Sequence, residues 1–221
     1  RDCRPCEAGY YCIENDSVSR PCPVGHFCSA FTTDPTPCRP GSYQPEKSKH
    51  SNEDCIECPE GYFCDAYAIG DYTKWPCPIG HYCDEVAMIA PPKKCPAGSY
   101  QPYKAMIDES ACLECPEGHY CREGEEHPVP CEAGYKCKAG SKKQYACEPK
   151  TFCPAMSKNE TTCPESFHCP SYRTDIYAKC TNGTYCPEGS QFETQCQAGY
   201  FGSSRTDNID RDTGCIACGK G

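Results

Sequence analysis

The chain has almost none of the residues from which a conventional core is built. Leucine occurs once, at Leu113, and Leu, Ile, Val and Phe together number 21 among 221 residues. So little aliphatic area leaves a chain disordered unless something else holds it, because ordering each residue costs about 1–2 kcal/mol. No apolar run approaches the ~18 residues of a membrane helix, so no membrane span is expected in this segment. No stretch repeats its apolar residues with helical periodicity over three turns. Basic patches are missing too: with a net charge of −9, and with Lys93-Lys94 and Lys142-Lys143 as isolated pairs, nucleic acid is not an expected partner. The chain opens on Arg1 rather than a methionine, and we read it as a mature chain or an excised segment.

In place of aliphatics there are 26 cysteines, 22 prolines, 18 glycines and 16 tyrosines. Disulfides therefore have to supply the order. A crosslink closing about 15 residues contributes roughly 3 kcal/mol by restricting the unfolded chain. So many disulfides persist only outside the reducing cytosol, which predicts an extracellular or cell-surface protein that travels the secretory pathway. Three sequons agree, at Asn15, Asn159 and Asn182, and N-linked glycans are expected on them.

The cysteines belong to one small device. Cys58-Pro-Glu-Gly-Tyr-Phe-Cys64 recurs with variations from Cys6, Cys22, Cys77, Cys115, Cys131, Cys147, Cys163 and Cys180, and in open form, without the second cysteine, from Cys38, Cys95 and Cys196. The fourth residue is glycine in ten of these twelve repeats, which predicts a tight turn needing positive φ. The sixth is Tyr or Phe in ten and is expected to pack over a disulfide. The repeats at Cys147 and Cys163 carry Lys150 and Ser166 in place of the glycine, so they are expected to be the least regular.

Spacing groups the repeats into modules over 1–57, 58–114 and 115–217, with irregular units at 147–186 and the start of a further unit at 218–221. Each module closes on an open repeat followed by CxxC. The chain begins and ends at equivalent points, which suggests a piece cut from, or abutting, a longer array. Short strands of three to five residues joined by turns are the expected regular structure, with a helical turn near 65–72 or 85–90.

The signature CPxGxYC…C with CxPGSYxP…CxxC resembles the ephrin-receptor-like cysteine-rich repeat, and its spacing is similar to the cysteine-rich modules of tumour-necrosis-factor receptors. The resemblance covers essentially the whole chain. It implies a fold of small disulfide-rich repeats: an elongated rod of short β-hairpins and irregular loops, with almost no helix and no conventional core. It also implies pairings. Cys38 would join Cys55, Cys95 would join Cys112, and Cys196 would join Cys215. Cys58 would join Cys77, Cys64 would join Cys83, Cys6 would join Cys22, and Cys12 would join Cys28. Two other schemes stay open: each C-x5-C closed within its own repeat, or links across the nine-residue gaps with each CxxC paired internally. The first two schemes leave Cys3 and Cys218 over, as candidates for intermolecular bridges.

Candidate chemistry is sparse. The CxxC pairs lie too far apart in a stapled chain to read as zinc ligands. His26, His81 and His119 occupy the fifth position, where other copies have tyrosine, and so mark a surface slot. His50, His127 and His168 have no serine or acid constellation around them in the sequence. Asp207, Asp210 and Asp212 form the nearest thing to a calcium site, but without the glycine and terminal glutamate of an EF-hand. No cofactor is expected, and the chain does not read as an enzyme. The expected role is an extracellular structural protein, a repeat rod that builds a filament, wall or surface coat with copies of itself or adjoining repeats. The alternative is a ligand-binding or adhesive ectodomain segment of a larger surface receptor-like protein, recognising its partner through 147–186.

Overall fold

A computed structural model describes residues 6–14, 18–202 and 211–219. The fold is a set of small disulfide-rich repeats: eleven two-stranded sheets and twelve disulfides among the described residues. Contacts gather into two compact halves, Arg1–Cys95 with Gln101–Leu113, and Pro96–Tyr100 with Glu114–Gly221. Both are built by the same rules.

Within a repeat the turn comes first. The Tyr62 amide donates to the Pro59 carbonyl at 3.3 Å, and Gly61 sits at φ 82°. A turn with its third residue left-handed is the type II geometry, which glycine enters without penalty. It brings the Cys58 and Cys64 Cα atoms to 6.3 Å, and a disulfide joins them. Nine repeats close on themselves in this way.

This corrects part of the pairing that the receptor resemblance implied. Cys58–Cys77, Cys64–Cys83, Cys6–Cys22 and Cys12–Cys28 do not form, whereas Cys38–Cys55, Cys95–Cys112 and Cys196–Cys215 are present. The reason is register. The Cys77 amide donates to the Gly61 carbonyl at 2.8 Å, and the Gly61 amide donates to the Cys83 carbonyl at 2.9 Å. The next repeat's cysteines thus bracket the turn glycine instead of facing Cys58 and Cys64.

Repeats are joined by backbone. The fifth and sixth residues of one form an antiparallel pair with the two residues preceding the next first cysteine, as in His26–Phe27 with Thr36–Pro37. Around this pair, four hydrogen bonds recur. From Cys131 to Cys147 they are Gly134 amide to Cys153 carbonyl at 2.7 Å, Cys147 to Gly134 at 3.0 Å, Met156 to Cys131 at 2.9 Å, and Cys137 to Ser157 at 2.8 Å. From Cys22 to Cys38 the same four appear, with Gln44 where a second cysteine would stand.

One of those four bonds starts at a second left-handed position, three or four residues past the second cysteine, and another ends on the residue just after it. Phe31, Ser48, Ala68, Ala87, Ala105, Met156 and Arg173 occupy it at φ between 53° and 66°, and Gly140 and Gly189 do so elsewhere. A non-glycine residue there costs on the order of 1 kcal/mol, which the two inter-repeat hydrogen bonds offset. The carbonyl of the left-handed residue two repeats on sets the space around the turn: a Cβ on Gly41 would meet the Ala87 carbonyl oxygen at 2.6 Å, and one on Gly134 would meet that of Arg173 at 2.4 Å.

Lys150 and Ser166 do not make their repeats irregular. Both take the left-handed turn conformation, at φ 75° and 67°, and both keep the bonds of the glycine, Lys150 to Cys169 at 3.0 Å and Ser166 to Cys186 at 2.9 Å. The hydrogen bonds to the next repeat outweigh the cost of the Cβ.

The core is sulfur with an aromatic cover. Fully buried cystines form its centres, and in three repeats the aromatic lid packs on the disulfide of the following repeat. Tyr43 packs on Cys58 and Cys64, Phe63 on Cys77 and Cys83, and Tyr120 on Cys131 and Cys137. In the two open repeats of 17-residue span, buried Gln44 and Gln101 replace the missing sulfur. Each side-chain amide donates to a backbone carbonyl, that of Asp54 or of Ala111, and each side-chain oxygen accepts an amide at 2.9 Å, from Glu46 or Tyr103.

Short 3-10 turns fall at Asn52–Asp54, Tyr72–Lys74 and Glu109–Ala111, and one helical turn at Arg211–Gly214. The first and third precede the closing cysteines Cys55 and Cys112, where Ser51 and Asp108 cap them. The expected helical turn near 85–90 is bends and turns instead.

Candidate functional site

The fifth-position histidines are turn supports. Nδ1 of His26, His81 and His119 lies 2.9–3.0 Å from the carbonyl two residues earlier, that of Val24, Ile79 or Glu117. His50 lies 3.5 Å from the Asp54 carboxylate, which the His50 and Ser51 amides also contact at 3.0 Å. His127 is exposed.

His168 differs from what the sequence suggests. It stands at the sixth position, where most repeats carry an aromatic lid, and so lies over the next disulfide, with Nδ1 3.8 Å from Cys180 Sγ. An acid does accompany it: Glu193 Oε1 is also 3.8 Å away. Burial pushes the Glu193 carboxyl up, but hydrogen bonds from Thr181 and the charge of His168 outweigh it and hold the group below the usual glutamate range. The other polar lid, Lys136, pairs with Glu160 at 2.7 Å, a bond that holds Glu160 low. Glu160 and Glu193 each stand three residues before a first cysteine, and each accepts an amide from the residue after the preceding one, Glu148 at 3.5 Å and Thr181 at 2.9 Å. Sequence spacing carries this signal only once the lid is known to cover the following repeat.

His168, Cys180 and Cys186 are near enough to share a metal ion, but the two sulfurs are bonded to each other and offer no thiolate. The CxxC pairs are likewise split: Cys55 and Cys58 belong to different disulfides, as do Cys112 and Cys115. Of the acidic candidates, Asp212 is exposed on the short helical turn, and Asp207 and Asp210 lie outside the described residues. So do Asn15 and Cys3. Asn159 and Asn182 are exposed. Cys218 is an exposed free thiol. Its amide donates to Gly199 at 2.8 Å, the bond that the first cysteine of a repeat makes.

A cleft of about 370 Å³ lies beside the polar lid Lys136, lined also by Lys138, Ala139, Gly140, Ser141 and Tyr145. Lys136 and Tyr145 face each other across a hairpin, and the Lys143 ammonium stands 5.6 Å above the Tyr145 ring. Exposed apolar side chains elsewhere include Phe31, Tyr67, Tyr103, Tyr172 and Ile176. No helix among the described residues is long and apolar enough to cross a membrane.

Compared with known proteins, the chain matches no family model and no curated protein.

Proposed function

We propose that the chain is an extracellular structural protein, a disulfide-stapled repeat array that builds a filament, wall or surface coat with copies of itself or adjoining repeats. One observation carries this reading. Eight repeats, those opening at Cys6, Cys22, Cys38, Cys77, Cys115, Cys131, Cys147 and Cys163, are tied to the next by the same four backbone hydrogen bonds, whatever side chains they carry. Such nearest-neighbour joining is how repeat proteins gain strength by repetition. The twelve disulfides support an oxidising, extracellular setting, and exposed Asn159 and Asn182 support N-linked glycans. The ephrin-receptor-like assignment stays a proposal supported by cysteine spacing. So does the absence of an enzymatic role.

The adhesive or ligand-binding reading draws support from the exposed aromatics Tyr67, Tyr103 and Tyr172. It draws none from 147–186, whose backbone follows the common pattern. Electron microscopy of the purified chain across concentration and ionic strength separates the two. Ordered linear or sheet-like assemblies are expected, and isolated monomers under every condition would contradict the structural role.

A further inference from the structure

We infer that the Lys136–Tyr145 cleft binds an anionic polysaccharide, one carrying sulfate or carboxylate groups along its chain. Among the described residues most cations near acidic neighbours are engaged: Lys93 with Asp84 and Glu85, Lys136 with Glu160, and Lys158 with Glu117. Lys138, Lys142 and Lys143 have no carboxylate within ion-pair distance among those residues, and all three are exposed. They are gathered within six residues of a chain whose net charge is −9. A ligand reaching this spot therefore meets three unpaired ammonium groups close together, beside the Glu160 carboxylate held by Lys136 and the Glu114 carboxylate 3.2 Å from the Cβ position of Gly140.

The donors at the cleft set what kind of anion fits. The Gly140 amide is spent on Cys115 at 2.8 Å and the Ser141 amide on Lys138 at 3.1 Å, while the Ser141 hydroxyl donates to the Lys138 carbonyl at 2.6 Å. Those groups are not free to cradle a small anion as a phosphate loop does. The free donors are ammonium groups on flexible stems, which suit charges spaced along a polymer. Half-exposed Tyr145 adds a flat apolar face beside them, the kind of surface on which a sugar ring lies. The site exists because this repeat departs from the pattern: Lys136 stands where an aromatic lid would cover the next repeat.

The test uses the full oxidised chain, titrated with a sulfated polysaccharide, a polyuronate, an uncharged glucan and single-stranded DNA. Saturable binding to the sulfated chain or the polyuronate is expected, with the comparison of those two telling which acid group is preferred. Replacing Lys138, Lys142 and Lys143 by Gln together is expected to weaken it by about tenfold or more, as the loss of three exposed charge contacts implies. The equal charge change Lys47→Gln, Lys94→Gln and Lys104→Gln serves as the control and is expected to leave binding unchanged. Tyr145→Ala is expected to weaken glycan binding, with unaltered disulfide masses and melting showing that the variant is folded. Equal losses in the two lysine triples would overturn the proposal. So would DNA binding as tight as the glycan's and indifferent to Tyr145→Ala, since that describes a charge patch and not a sugar site.

Discussion

The Gly61 amide donates to the Cys83 carbonyl at 2.9 Å, and a Cβ on Gly61 would lie 2.8 Å from the Ala105 carbonyl oxygen. One residue thereby fixes contacts to the next repeat and to the one after it. Gly61→Ala must pay both a left-handed φ and a backbone clash. We expect a loss of about 2–3 kcal/mol in urea unfolding. Gly183 has φ 97° but open space around its Cβ position, so Gly183→Ala should lose only about 1 kcal/mol. Equal losses would show that close approach does not matter.

Gln44 and Gln101 do by hydrogen bonding what a cystine does elsewhere. Gln44→Ala leaves the Asp54 carbonyl and the Glu46 amide without their partner. Unsatisfied buried groups cost about 1–3 kcal/mol each. We expect Gln44→Ala and Gln101→Ala to lower stability by about 2–3 kcal/mol apiece, and exposed Gln197→Ala to change it little. Differential unfolding of the three variants measures this.

Acid should loosen the open repeats. Amides of His50 and Ser51 hold the Asp54 carboxyl below the usual aspartate range, and the Ser110 hydroxyl and amide do the same for Asp108. A carboxyl depressed in the folded state stabilises fully above its unfolded value, near about 4, and loses that stability as pH falls through the lower folded value. Thermal midpoints recorded from neutral pH downward should therefore drop below about pH 4. The double variant Asp54→Asn/Asp108→Asn should be less stable at neutral pH and show a flatter acid slope. An unchanged slope would remove these two groups from the account.

Removing cystines should rank by loop. The Cys38–Cys55 bridge spans 17 positions and Cys58–Cys64 spans 6. Restriction of the unfolded chain alone gives about 3 kcal/mol for the longer loop and about 2 kcal/mol for the shorter. Paired Cys→Ser variants followed by urea unfolding check the order.

The repeat, its turn glycine and its aromatic were legible in the sequence because each sits at a fixed offset from a cysteine. The second left-handed position was not, because residues as different as Phe31, Ser48, Met156 and Arg173 fill it; hydrogen bonds impose it, and side-chain chemistry does not mark it. The same blindness made Lys150 and Ser166 look disruptive. His168 and Glu193 are 25 positions apart in the chain, and only the register that puts a lid over the following repeat brings them together. Pairing was the hardest to read, since Cys58 has plausible partners at both Cys64 and Cys77 until the Gly61 hydrogen bonds are known. The lysines of the cleft were visible, but not that Lys93 is neutralised by Asp84 and Glu85 while Lys143 is not.

That pairing is also what peptide mapping of the unreduced protein tests most directly. Proteolytic fragments, cleaved between Cys64 and Cys77 and with thiols blocked beforehand, are expected to carry Cys58 bound to Cys64 and Cys77 bound to Cys83. Fragments linking Cys58 to Cys77 and Cys64 to Cys83 would contradict the self-closed repeat, and with it the backbone-joined array.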